Sequence, residues 1–151
     1  MNLNETPDTV LWPETHYLFL ERVGSFQQNA PQVWQALHAL IPAIARYNTI
    51  TGYMSLFKVG PQIYRAGVSL AAPPMEEPDV LSYHKFPGGR YSRFVLTGSY
   101  ANLPRACGRV FDLAVDLGLR LRDGFNIENY VSDPRVTPED ELVTEILLPI
   151  V

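Results

Sequence analysis

Apolar and polar residues alternate along this chain in two rhythms, and the rhythm changes at matching places in each half. Residues 16–23 crowd aromatic and branched side chains into a run that ends at Gly24, which predicts a strand. Val33, Leu37, Leu40, Ile41 and Ile44 then recur at helical spacing and give one buried stripe. Asn29 is placed to cap that helix, and Pro31 in its first turn needs no donor. Residues 50–59 and 62–71 read as two strands joined tightly through Gly60-Pro61. Residues 72–79 hold three prolines and three acids without periodicity, which predicts a linker. Beyond it, residues 80–86 and 90–97 flank Pro87-Gly88-Gly89, a hairpin signal. Asn102 opens a second helix with the stripe Leu103, Cys107, Val110, Phe111, Ala114 and Leu117, and Gly118 lies near its end. Residues 125–131 form the next strand, and a turn-rich stretch, 132–140, leads to a last strand over 142–150.

The order strand, helix, strand, strand therefore occurs twice, and the residues repeat as well. Tyr17-Leu-Phe-Leu-Glu-Arg-Val-Gly24-Ser25-Phe26 returns 74 positions later as Tyr91-Ser-Arg-Phe-Val-Leu-Thr-Gly98-Ser99-Tyr100. One deletion shifts the offset to 73, so that Asn29-Ala-Pro31 returns as Asn102-Leu-Pro104, and residues 52–57 fall over 125–130. The reading is one domain over 1–151 with pseudo-repeats 14–72 and 80–151 and a linker at 73–79. Pockets tend to form at such internal interfaces, so the seam between copies is where function is expected. Two helices cannot cover both faces of a seven- or eight-stranded sheet. Both are expected on one face, with the other curled around a cleft.

Composition narrows the classes. At 151 residues the chain suits one compact domain, and 46% apolar content excludes a disordered segment. The net charge of -4, with no Lys/Arg cluster, argues against nucleic acid or an anionic membrane and is compatible with a cationic ligand. A single cysteine excludes an internal disulfide and fits a reducing compartment. The polar, acidic N-terminus lacks the basic-then-apolar run of a signal peptide, and no stretch is apolar enough to span a membrane. A cytoplasmic location is the expectation.

Pro87-Gly-Gly-Arg-Tyr91 before a strand ending in Gly98, then Ile127-Glu128-Asn129-Tyr130, then Thr144-Glu145-Ile146-Leu147-Leu148-Pro149, resemble the GyrI-like small-molecule-binding domain. The resemblance covers roughly residues 14–151. It implies an α+β fold: a duplicated strand-helix-strand-strand module, an antiparallel curved sheet with two helices on one face, and a central aromatic cleft with an acid at its floor. Members bind bulky apolar molecules, often cations, and serve as effector-binding domains of multidrug-sensing regulators. Some relatives are similar to gyrase modulators, and others hydrolyse cyclopropane-containing genotoxins. The regulators' helix-turn-helix has no counterpart in the fourteen or so residues expected to precede the first strand. The haem-binding SOUL proteins resemble the same architecture, but no haem ligand is singled out here, and no cofactor is expected.

Glu128 is the leading site residue. On a strand, Asn126, Glu128 and Tyr130 share one face, and a carboxylate between an amide and an aromatic suits a cation, whose attraction strengthens in a dry site. The 73-residue offset pairs Tyr53 with Asn126, Ser55 with Glu128 and Phe57 with Tyr130. One copy thus supplies aromatic surface, itself attractive to cations, and the other supplies charge. The alternative for Tyr53, Phe57 and Tyr130 is core packing. Glu145 resembles a second acidic position of the family, against the alternative of an ion pair with Arg93 or Arg120. Tyr91 opens the repeated strand and is a candidate cleft residue, and Trp34 either closes the cleft or packs.

His16, His38 and His84 have no ligand spacing among themselves or with Cys107, so no metal is expected. Cys107 reads as an inert core thiol, and Ser25 and Ser99, each after a repeated glycine, read as turn residues. The function expected is a stand-alone binder of bulky apolar, preferably cationic, aromatic compounds. A hydrolase on the same scaffold and a gyrase-modulating interaction protein are the alternatives. The partners expected are a hydrophobic or cationic small molecule and a separate regulator or gyrase, without direct contact to nucleic acid or membrane.

Overall fold

The computed structural model describes residues 1–75 and 79–151; of the expected linker, residues 76–78 lie outside the described residues. The described elements are β1 (Asn2–Trp12), β2 (Thr15–Val23), α1 (Phe26–Tyr47), β3 (Ile50–Lys58), β4 (Ile63–Leu70), β5 (Ser82–Phe86), β6 (Gly89–Thr97), a 3-10 turn (Tyr100–Asn102), α2 (Leu103–Asp116), β7 (Asn126–Tyr130), a second 3-10 turn (Glu139–Glu141) and β8 (Val143–Pro149). The fold is α+β, and the strand ladders within each unit are antiparallel.

The chain divides into two compact units, Pro13–Gly88 and Met1–Trp12 with Gly89–Val151, here called the first and second modules. In the first, the strands lie in the order β5-β2-β4-β3; in the second, β1-β6-β8-β7. Each order is the other's copy under the sequence repeat, with β2 matching β6, β3 matching β7 and β4 matching β8.

The outer strands depart from the sequence reading. Residues 80–97 form no hairpin: β5 pairs with β2, from Thr15↔Phe86 to Phe19↔Ser82, and β6 pairs with β1, from Asn2↔Thr97 to Trp12↔Gly89. Gly88 and Gly89 both take positive φ, 71° and 121°, and carry the chain out of one module into the other instead of folding it back on itself. The residues before β2, expected to precede the first strand, themselves form the strand β1. Their polar composition hides the strand, which is fixed by its partner: Asp8 pairs with Arg93 at 2.9 Å and Glu5 with Arg109 of α2 at 2.8 Å.

Helix α1 begins earlier than expected. Ser25, not Asn29, is the N-cap, and its hydroxyl accepts from the Gln28 N–H at 3.4 Å. Asn29 sits in the first turn and donates its amide to the Val23 carbonyl, and Pro31 lies inside the helix. In the second module Ser99 likewise caps the 3-10 turn that leads into α2, accepting from the Ala101 N–H at 3.1 Å.

Each helix buries an apolar stripe on its own sheet, but Leu117, expected in the second stripe, lies just past the end of α2 and is exposed. Val33, Leu37 and Ile44 of α1 are fully buried, and a fully buried Leu such as Leu37 contributes about 1.5–3 kcal/mol. Ala106, Val110, Leu113 and Ala114 of α2 pack with Phe94, Leu96, Ile146 and Leu148. These sheet residues identify the α2-facing side of β6 and β8, and the register extends that side to Glu128 and Tyr130 on β7, which face Ile146 and Thr144.

On the other side of the first module's sheet, Tyr17 lies across Gly67. A Cβ at residue 67 would stand 2.5 Å from the ring, so only glycine fits there.

Candidate functional site

Five residues of β7 hold the centre of the site. Alternation along the strand turns Asn126, Glu128 and Tyr130 toward α2, and Asn126 and Glu128 are buried while Tyr130 is half-buried. Glu128 is only 8% exposed. One carboxylate oxygen accepts from the Tyr130 hydroxyl at 2.7 Å and the other from the Cys107 thiol of α2 at 3.1 Å. Among the described residues Glu128 has no basic partner. Burial raises its pKa above the ordinary carboxylate value, and the bonds from Cys107 and Tyr130 pull the other way without cancelling the rise. Burial, then the neighbouring Glu128 carboxylate, drives the Cys107 thiol far upward, so Cys107 is a protonated donor.

Tyr130 connects this carboxylate to the surface. Its ring meets Tyr100 edge-on at 5.6 Å. Tyr100, from the 3-10 turn before α2, lines an open groove of about 450 Å³ together with Ser99, Pro134, Thr137, Glu139 and Leu142. The Ser99 hydroxyl fixes one wall by donating to Glu139 at 2.6 Å. Burial, and next the charge of Asp133, raises the Tyr100 pKa, so its hydroxyl is neutral at ordinary pH.

The first module repeats this arrangement with other chemistry. Trp34 and Cys107 are 73 residues apart, as are Ser55 and Glu128. The Trp34 indole N–H donates to the Ser55 hydroxyl at 3.2 Å and to the Tyr64 hydroxyl at 2.8 Å, and Ser55 and Tyr64 are bonded at 2.7 Å. Phe26 and Phe57, the counterparts of Tyr100 and Tyr130, make the same edge-on contact at 5.9 Å. A helix-to-strand hydrogen bond and an aromatic pair are thus common to both modules, whereas only the second carries a carboxylate. Phe57 is buried, and Tyr53 is half-buried and stacked on the exposed His38 at 6.4 Å.

Two candidates lie on the opposite face of the second module's sheet from Glu128. Tyr91 is fully buried, donates to the Phe125 carbonyl at 2.8 Å and carries the Arg122 guanidinium over its ring at 4.9 Å. Glu145 is held by Arg93 at 3.2 Å and by the Asn129 amide at 2.8 Å. The geometry therefore gathers Glu128 and Tyr130, holds Trp34, Tyr53 and Phe57 within the first module, and does not bring Tyr91 or Glu145 to the carboxylate. Cys107, which sequence reading assigned to the core, and Tyr100, to which it gave no role, enter as neighbours. The repeat offset held the signal for both, since it places them on Trp34 and Phe26. Among the described residues, no three His, Cys, Asp or Glu side chains gather as metal ligands would.

The pattern of the GyrI-like small molecule binding domain matches residues 5–151. The chain belongs to this family. Among solved structures, the GyrI-like chain is similar to the EcmrR C-terminal domain, with a TM-score of 0.76 and 16% identity over 100% of this chain and 99% of that one. It is similar to SAV2435 bound to tetraphenylphosphonium, with a TM-score of 0.72 and 11% identity over 96% of this chain and 93% of that one. It is also similar to a hydrolase from Listeria innocua, with a TM-score of 0.63 and 15% identity over 98% and 93% of the two chains. At these identities the likeness is one of fold. No curated protein sequence matches. No helix among the described residues is long and apolar enough to cross a membrane.

Proposed function

We propose that this GyrI-like domain binds bulky aromatic compounds and prefers those carrying positive charge, with Glu128 as the neutralising group. The observation that carries the reading is a buried carboxylate supported by a thiol and a phenol and without a basic partner among the described residues. Isolated buried charge is costly, and a protein ordinarily offsets it with an Arg or Lys or leaves the group protonated. A cationic guest would supply the missing charge in surroundings that screen it weakly. The Tyr130 and Tyr100 rings would add about 0.5–2 kcal/mol per good cation contact. The fold's likeness to a protein seen with tetraphenylphosphonium supports the choice of guest. Tyr53 offers a half-buried aromatic surface of its own in the first module, and Trp34 and Phe57 stiffen that module's counterpart cluster.

The test is a titration of matched cationic, neutral and anionic aromatic dyes, followed by quenching of the Trp12 and Trp34 fluorescence. Preference for the cations is the expected result; equal affinity across charge types would overturn it.

One observation favours a second reading. The Tyr130 hydroxyl lies 2.7 Å from a carboxyl whose pKa is raised, a pairing suited to proton transfer. Glu128 would then take a proton from water as the water oxygen bonds a ring carbon, the strained C–C bond would break, and the carbon that keeps its electron pair would take a proton from the Tyr130 hydroxyl. Mass spectrometry of the protein incubated with a reactive cyclopropane compound separates the readings, because a binder gives no product above buffer.

A further inference from the structure

The strand registers make Thr144 the counterpart of Tyr64. In the first module Ser55 faces Ala66 and Phe57 faces Tyr64; in the second, Glu128 faces Ile146 and Tyr130 faces Thr144. Tyr64 and Trp34 close the first module's cluster over Ser55 with three hydrogen bonds. At the same two positions the second module has Thr144 and Cys107, so two large aromatic side chains give way to two small ones beside the carboxylate. Thr144 is fully buried, and its hydroxyl has no hydrogen-bond partner among the described residues. It shares the α2-facing side of the sheet with Glu128 as its diagonal cross-strand neighbour, roughly 7–8 Å away. A buried hydroxyl is ordinarily satisfied by protein or by an ordered molecule, and Tyr64 shows that this scaffold can satisfy the position internally.

We propose that Thr144 is a specificity-determining contact of the Glu128 site, and that the guests it selects are aromatic cations carrying a hydroxyl, ether or carbonyl oxygen. The cationic centre rests against Glu128, and the oxygen meets the Thr144 hydroxyl one strand-pair diagonal away. Charge sets which class of compound enters, and the unpaired hydroxyl chooses within the class. The proposal rests on the cation-binding reading above.

The experiment compares tetraphenylphosphonium, which has no hydrogen-bonding group, with its 2-, 3- and 4-hydroxyphenyl analogues, on the wild-type chain, Thr144→Val and Thr144→Tyr. In the wild type at least one hydroxylated isomer should bind about tenfold tighter than the parent. Thr144→Val, which keeps shape and removes the hydroxyl, should abolish that gain, so that the hydroxylated compounds bind the variant no tighter than the parent does. Thr144→Tyr restores the first module's bulk and should block every guest, with the fold verified by circular dichroism. If the parent binds and Thr144→Val treats all four compounds as the wild type does, this proposal fails alone. If none of the four binds the wild type, the cation reading fails and takes this one with it.

Discussion

The Cys107 thiol of α2 donates to the Glu128 carboxylate of β7 across 3.1 Å, and the same two positions of the first module hold Trp34 and Ser55 bonded at 3.2 Å. Both modules thus carry a hydrogen bond between helix and strand, made by different groups. The first has an indole–hydroxyl pair, and the second has a thiol–carboxyl pair that can take on a charge.

That charge should appear in the pH dependence of stability. The folded Glu128 pKa is raised, chiefly by burial. Below the ordinary carboxylate pKa both folded and unfolded chains hold the proton, and the group imposes no penalty. As pH rises from there through the folded pKa, the unfolded chain releases its proton first, so stability falls across that window. Urea midpoints measured against pH should decline there for the wild type relative to Glu128→Gln; parallel curves would contradict the buried carboxylate.

Tyr130→Phe removes a donor to the carboxylate and keeps the ring against Tyr100. The lost bond favoured the charged form, so the Glu128 pKa should rise further and the binding of a cation should begin at higher pH. Affinity at neutral pH should drop by about 1.5–3 kcal/mol, the range for a hydrogen bond to a charged group. An unchanged pH profile would remove Tyr130 from the site.

Cys107 should be unreactive. Burial and the adjacent Glu128 both disfavour the thiolate, which is the nucleophilic form. Iodoacetamide at pH 8 should modify the folded protein far more slowly than the urea-unfolded chain. Equal rates would show that the thiol is open to solvent.

Gly67→Ala tests the packing beneath the first module. The added Cβ would meet the Tyr17 ring at 2.5 Å and the Leu18 carbonyl at 2.6 Å. Tyr17 is fully buried, and its hydroxyl is committed to the Met54 carbonyl at 2.8 Å, so the ring has little room to yield. Overpacking of this kind costs about 1–3 kcal/mol. A thermal midpoint equal to the wild type's would show that the ring moves aside freely.

Much of this arrangement was legible in the chain. Alternation alone put Asn126, Glu128 and Tyr130 on one face, and the offset of 73 aligned Ser55 with Glu128 and Phe57 with Tyr130. Helical spacing located both helices because an amphipathic helix has one periodic signature, but in α2 it passed over the buried Ala106 and Leu113 and included Leu117, which is exposed. The outer strands were not legible. Residues 1–12 are polar and become a strand only through β6, and local turn chemistry at Pro87-Gly88-Gly89 cannot report which strand receives β5. Cys107 does pack against the core as an unreactive thiol, but its bond to Glu128 was not legible, because a position on an apolar stripe does not say which residue faces it. Thr144 gave no signal, because its correspondence with Tyr64 exists in the strand register and not in any residue likeness.

The most direct measurement is the dissociation constant of tetraphenylphosphonium for the wild-type protein and Glu128→Gln at neutral pH, by isothermal titration calorimetry. Binding by the wild type and a loss on the order of 1.5–3 kcal/mol in the variant are expected, with both proteins equally folded. Equal affinities would contradict the role of Glu128.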